Sequence, residues 1–100
     1  MQEFLYRTQL VREDMLRTGP TESEKAVVAE HFAYLQDLTA QGVMIFVGRT
    51  LNTDENAMGL AVFRAGSEDA ARQIMNADPA MKKGVMTAIL YPFKVVLQAK

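Results

Sequence analysis

The chain has 100 residues, 49% of them hydrophobic, with 11 Lys and Arg against 12 Asp and Glu for a formal net charge of −1. One domain of this size buries roughly two-thirds of its unfolded surface, and its near-neutrality excludes both the basic excess of a dedicated nucleic-acid binder and an acidic disordered tail. With no Cys and a single His, disulfide frameworks, thiolate nucleophiles and zinc sites built from Cys or several His are excluded as well.

Met1–Phe4 has no basic segment and no apolar run behind it, so no secretory signal is expected. The longest apolar run, Val43-Met44-Ile45-Phe46-Val47, is far short of the roughly 20 residues that cross a bilayer. The expectation is a cytoplasmic protein without a membrane partner. Phe4 to Val11 alternates as a strand, with Phe4, Tyr6, Thr8 and Leu10 on one side and Leu5, Arg7, Gln9 and Val11 on the other. Thr21 to Gln41 has helical spacing in Val27, Val28, His31, Tyr34, Leu35 and Leu38. Thr21 and Glu24 form a capping box, Glu22 and Glu24 suit the positive end of the dipole, and Gly42 supplies a left-handed stop.

Val43 to Leu51 is apolar and β-branched enough for a buried strand. The polar turn Asn52–Asn56 then leads into a third strand, Met58 to Ala65, and the short connection predicts an antiparallel hairpin. Ser67 caps a helix from Glu68 to about Asn76, with Ala70, Ala71, Ile74 and Met75 inward. Asp78-Pro79 ends it, because the residue before Pro disfavours helical angles. Pro79 opens one more short turn before Gly84. Val85 to Leu97 reads as a long last strand, in which Pro92 points to an edge, a bulge or a bend.

The order β-α-β-β-α-β is that of the ferredoxin-like split βαβ motif: an α+β fold with a four-stranded antiparallel sheet and two helices on one face. Two helices cover one side only, yet the strands are apolar on both. In the second, Val43, Ile45 and Val47 alternate with Met44 and Phe46. In the third, Met58, Leu60 and Val62 alternate with Ala61 and Phe63. In the last, Ile89, Tyr91 and Phe93 oppose Met86, Ala88 and Leu90. A water-facing side would show a polar alternate set. The expected cover is a second copy, in a twofold homodimer through the sheet face; a different protein partner and a merely apolar surface are the alternatives.

Few residue types here carry chemistry. His31, the only His, lies on the apolar stripe of its helix, so its imidazole faces the sheet or a crevice. Imidazoles titrate near neutrality and suit general acid–base work, while the other reading is a buried His satisfied by a main-chain carbonyl. Asp78 before Pro79 is the usual starter of a turn or cap; close to His31 it would instead fix the imidazole tautomer. Arg49 and Arg7 interrupt apolar strands, either to cover apolar surface and close ion pairs or to receive an anionic substrate group. Tyr34, one turn from His31, would share any pocket there, and Tyr6, Tyr34 and Tyr91 are otherwise core or interface residues. Gly59-Leu60-Ala61-Val62-Phe63 lacks the basic residue and stacking aromatics of the RNA-recognition consensus. No phosphate-cradling Gly-rich loop, Cys-x-x-Cys motif or nucleophile elbow occurs.

Taken together, His31-Phe32-Ala33-Tyr34-Leu35, Leu38, Gly42, Val47-Gly48-Arg49, the Ala70-Ala71 helix, Asp78-Pro79, Gly84-Val85 and Tyr91-Pro92-Phe93 resemble the YciI-like (YCII-related) family over nearly the whole chain. The resemblance implies a dimeric α/β barrel, in which two ferredoxin-like sheets pack face to face. It also implies an active site with a His and an Asp, which map onto His31 and Asp78. Dehydrochlorinase and muconolactone-isomerase-like proteins are among the relatives. Arg49 stands where many members have Pro. Ala40-Gln41 stands where several have an acidic residue just before the Gly stop, so a second acidic helper is not expected there. The function expected is a lyase or isomerase, dehydrochlorinase-like, that needs no cofactor or metal and acts on a small polar metabolite: His31 and Asp78 catalytic, Arg49, Arg7 and Tyr34 binding substrate. A non-catalytic ligand-binding or stress-associated dimer and a cofactor-free monooxygenase-like enzyme are the alternatives.

Overall fold

The computed structural model describes residues 1–99. Along the chain lie β1 (Gln2–Leu10), α1 (Met15–Thr18), α2 (Glu22–Ala40), β2 (Met44–Arg49), β3 (Gly59–Ala65), α3 (Glu68–Ala77), α4 (Pro79–Lys82) and β4 (Met86–Phe93). The strands form one antiparallel sheet in the order β2-β3-β1-β4. This is the expected α+β, ferredoxin-like arrangement. No helix among the described residues is long and apolar enough to cross a membrane.

Two sets of cross-strand rows define the faces, because paired residues point to the same side. Met44, Phe63, Phe4 and Pro92 form one row beneath the helices, Val47, Ala61, Tyr6 and Leu90 the next, and Arg49, Gly59, Thr8 and Ala88 the third. Phe4, Tyr6, Met44, Ala61 and Phe63 are buried there with Leu35 of α2 and Ala71 and Met75 of α3. Phe46, Val62, Leu5 and Tyr91 make a row on the other face, and Gly48, Leu60, Arg7 and Ile89 the next. No helix among the described residues crosses it, and Phe46, Ile89, Tyr91 and Phe93 stay 41–48% exposed.

Two expectations change. The alternation read for the second strand is broken by an irregularity between Met44 and Phe46. Ile45 is the extra residue, so Met44 and Val47 share the helix side while Phe46 turns to the open face. The last strand ends at Phe93 rather than Leu97. Its partner β1 begins at Gln2, and Glu3 opposite Phe93 is the final pair, so the chain beyond has no strand to bond. Val95 N–H instead donates to the Glu3 side chain at 2.8 Å. Pro92 is tolerated because β4 is an edge strand.

The connection from β1 to α2 contains a helical turn, α1, that periodicity does not announce. Arg12 organises it: the guanidinium donates to both Glu24 carboxylate oxygens at 2.6 and 3.0 Å, to Asp14 and Thr18 Oγ1 at 3.1 Å, and to the Gly19 carbonyl at 2.8 Å. Glu24 also closes the capping box. Its N–H donates to Thr21 Oγ1 and its carboxylate accepts from Thr21 N–H. Hydrogen bonds from Arg12 and then from Thr21 hold the Glu24 carboxyl down at about 2. The stabilisation from this lowered group is present above its ordinary value of 4.5 and is lost as pH falls toward 2. Arg12→Met should therefore be less stable at neutral pH, and its urea midpoint should fall less than that of the parent across this acid range. At the far end of α2, Gly42 has φ +79° and Val43 N–H reaches back to the Leu38 carbonyl at 2.9 Å, which ends the helix as expected.

Candidate functional site

Residues from three elements meet beneath α2. Asp78 is the hinge between α3 and α4, extended at φ −62°, ψ 126° as a residue before Pro prefers. Its Oδ1 caps α4 by accepting from Ala80 N–H at 3.0 Å. The same carboxylate, wholly buried, faces the ring of His31, whose Nδ1 lies 2.7 and 2.8 Å from its two oxygens. Cap and His partner are thus one group. Tyr6, also wholly buried on the inward side of β1, donates its hydroxyl to Asp78 Oδ2 at 2.9 Å.

An ionised carboxylate only accepts hydrogen bonds, so the Asp78 oxygens match the donors Tyr6 O–H, Ala80 N–H and His31 Nδ1–H. This assigns the ring proton to Nδ1 and leaves the Nε2 lone pair outward. Nε2 has no protein hydrogen-bond partner among the described residues, and the His31 side chain is 15% exposed. The arrangement presents one accessible imidazole nitrogen oriented from behind by a buried carboxylate, which is what proton abstraction or donation requires.

Tyr6 was not singled out for this site by sequence. Its inward parity and polar tip are a signal, since a buried phenol needs a partner, but the partner lies 72 residues away. Burial first, then the charge of Asp78 and the bond to it, push the Tyr6 phenol well above its ordinary value of 10.0. The contribution of such a raised group is complete below pH 10.0 and is lost as pH rises beyond the point where the unfolded chain ionises. The parent should lose urea stability between about pH 10 and about pH 12, and Tyr6→Phe should lose less over the same interval.

The other expected residues are dispersed. Tyr34 donates its hydroxyl to the Ile74 carbonyl at 2.7 Å, tying α2 to α3; burial and then the Asp78 charge raise its phenol as well. Arg49 ends β2 on the helix side, opposite Gly59 and in the row of Thr8, exposed and without an ion pair among the described residues. Two strand spacings, roughly 10 Å, separate its backbone from β1. Arg7 points to the opposite face between Leu60 and Ile89, away from His31, and its Nε is buried without a partner among the described residues. A cleft of about 350 Å³ opens beside Val11, Glu13, Asp54 and Thr87; His31 and Asp78 do not line it.

The profile of the YCII-related domain matches residues 6–94. Among solved structures, 5-chloro-2-hydroxyhydroquinone dehydrochlorinase of Burkholderia phenoliruptrix, in complex with 2,5-dihydroxybenzoquinone, superposes with a TM-score of 0.68 at 24% identity, covering 92% of this chain and 93% of that one. Muconolactone isomerase superposes with a TM-score of 0.66 at 11% identity, covering 97% of each chain. At these identities the likeness is one of fold. Among curated protein sequences no significant match is found.

Proposed function

The chain belongs to the YCII-related family, and we propose that it is an acid–base enzyme, a lyase or isomerase acting on a small polar metabolite. The observation that carries this reading is the contact of His31 Nδ1 with a fully buried Asp78 at 2.7 and 2.8 Å, while the ring keeps a solvent-facing edge. Nε2 of His31 takes a proton from the substrate carbon or hydroxyl, and Asp78 stabilises the imidazolium that forms. The same nitrogen returns the proton to a second position or to the leaving group, a step the two side chains carry out between them. Arg49, exposed and without an ion pair among the described residues, is assigned to an anionic oxygen of the substrate. Tyr34, its hydroxyl already committed, offers only its ring. The working unit is a homodimer through the open sheet face, and Arg7 belongs to that face.

The test is a screen of hydroxylated quinones, lactones and related small acids against the parent and His31→Ala. The panel is chosen from the chemistry of the dehydrochlorinase and muconolactone isomerase that share the fold. Loss of turnover by about a thousandfold with ligand binding retained is the expected result. Equal turnover in both proteins would remove His31 from the chemistry. Binding by the parent without turnover of any compound would favour the non-catalytic ligand-binding dimer.

A further inference from the structure

We propose that Tyr6 is the positioning residue of the His31–Asp78 pair, an inference that rests on the acid–base reading above. The phenol acts through Asp78 and does not touch substrate. Asp78 is shared between two jobs, capping α4 through Oδ1 and orienting His31 through both oxygens. The Ala80 N–H holds one oxygen only, which leaves the carboxylate free to rotate about its Cβ–Cγ bond. The Tyr6 hydroxyl at 2.9 Å holds the second oxygen, Oδ2, and closes that freedom. Tyr6 is itself immobilised. It is wholly buried in the middle of β1, paired with Ala61 on one side and Leu90 on the other. Its ring meets Phe63 edge-on, with centroids 5.5 Å apart and planes at 77°. A rigid strand therefore fixes the phenol, the phenol fixes the carboxylate plane, and that plane fixes the imidazole tautomer and tilt. Ala61 matters by being small, since a larger side chain in this row would crowd the Tyr6 ring. Without the phenol, Oδ2 keeps His31 as its sole donor among the described residues, and the carboxylate is expected to turn toward the ring and loosen its hold on one tautomer.

His31 is the only His of the chain, so its ring nitrogens can be followed without assignment in the free protein by nitrogen-15 NMR, with no ligand needed. The parent should show an Nδ1-protonated ring whose proton exchanges slowly with solvent. In Tyr6→Phe that proton should exchange about tenfold faster, the effect of losing one hydrogen bond to a charged group, with a measurable share of the Nε2-protonated tautomer. Asp78→Asn should abolish the Nδ1-protonated form. An unchanged ring in Tyr6→Phe, together with the expected loss in Asp78→Asn, overturns the role of Tyr6 and leaves the acid–base reading standing. A ring indifferent to Asp78→Asn overturns that reading as well. Should Tyr6→Phe fail to fold, the Tyr6 ring carbon bearing the hydroxyl, observed in the parent and in Asp78→Asn, gives the answer: a shift between the two supports the bond, and coincident signals overturn it.

Discussion

Asp78→Asn should keep the fold and lose about three to four orders of magnitude in turnover, as happens when an amide replaces the carboxylate behind a catalytic imidazole. The amide has the shape of the carboxylate, so its oxygen still caps α4 by accepting from Ala80 N–H. Its NH2 group, however, must face Tyr6 O–H and His31 Nδ1, both of which donate to Asp78 in the parent arrangement. The imidazole answers by accepting at Nδ1 and moving its proton to Nε2, which removes the outward lone pair that would take the substrate proton. Asp78→Ala behaves differently. It strips the cap and strands the Tyr6 hydroxyl and the Ala80 N–H in a buried site, a loss of about 3–5 kcal/mol, and the melting temperature should drop by roughly 12 °C or more for a domain of this size. A thermal melt of both variants separates the two effects. Turnover in Asp78→Asn within a few-fold of the parent would show that the tautomer of His31 does not govern the reaction.

The contrast between these variants reflects what the sequence carried and what it did not. Strand and helix order followed from local signals: Thr21 and Glu24 mark the start of α2, Gly42 its end, and Asp78-Pro79 the break after α3. Each is a short-range rule, and each appears in the structure. What was hidden depends on partners far along the chain. α1 exists because Arg12 gathers Asp14, Thr18, Gly19 and Glu24 around itself, and no periodicity encodes that. The end of β4 is set by where β1 begins, so the apolar pattern running on to Leu97 overstates the strand. The extra residue at Ile45 likewise follows from pairing with β3. At the site, His31 and Asp78 were legible as residue types suited to acid–base work, whereas their contact spans 47 positions and the third member, Tyr6, spans 72. Arg7 and Arg49 looked alike as charges in apolar strands, and only the register places them on opposite faces.

The open sheet face gives the second large expected effect: the parent should be a dimer at micromolar concentration, and the double variant Phe46→Asp with Tyr91→Asp a monomer. The two positions close opposite ends of the row Phe46–Val62–Leu5–Tyr91, so a second copy laid over this face anywhere near its centre buries at least one new carboxylate, and twofold symmetry repeats it. Four strands about 4.8 Å apart, with residues rising about 3.3 Å each, give a face of roughly 500 Å² before side-chain relief is counted, of the order of the roughly 800 Å² per partner in a standard interface. Val62 is already wholly buried in the single chain, while Phe46 and Tyr91 remain 48% and 41% exposed, so the charges cost the isolated protomer little and the assembled pair much. Dimerisation should weaken at least about a thousandfold, equivalent to roughly 4 kcal/mol. Arg7 adds a second reason for a partner: its Nε is buried between Leu60 and Ile89 with no acceptor among the described residues, and an unsatisfied charged donor is costly. An acceptor from the second copy would resolve it, so Arg7→Met should change the dimer's stability more than the monomer's. Phe32→Asp, on α2 and 63% exposed, is the control and should leave the mass unchanged. Light scattering reads all of these directly. A parent that is monomeric at micromolar concentration would mean that some other protein covers this face or that it meets water.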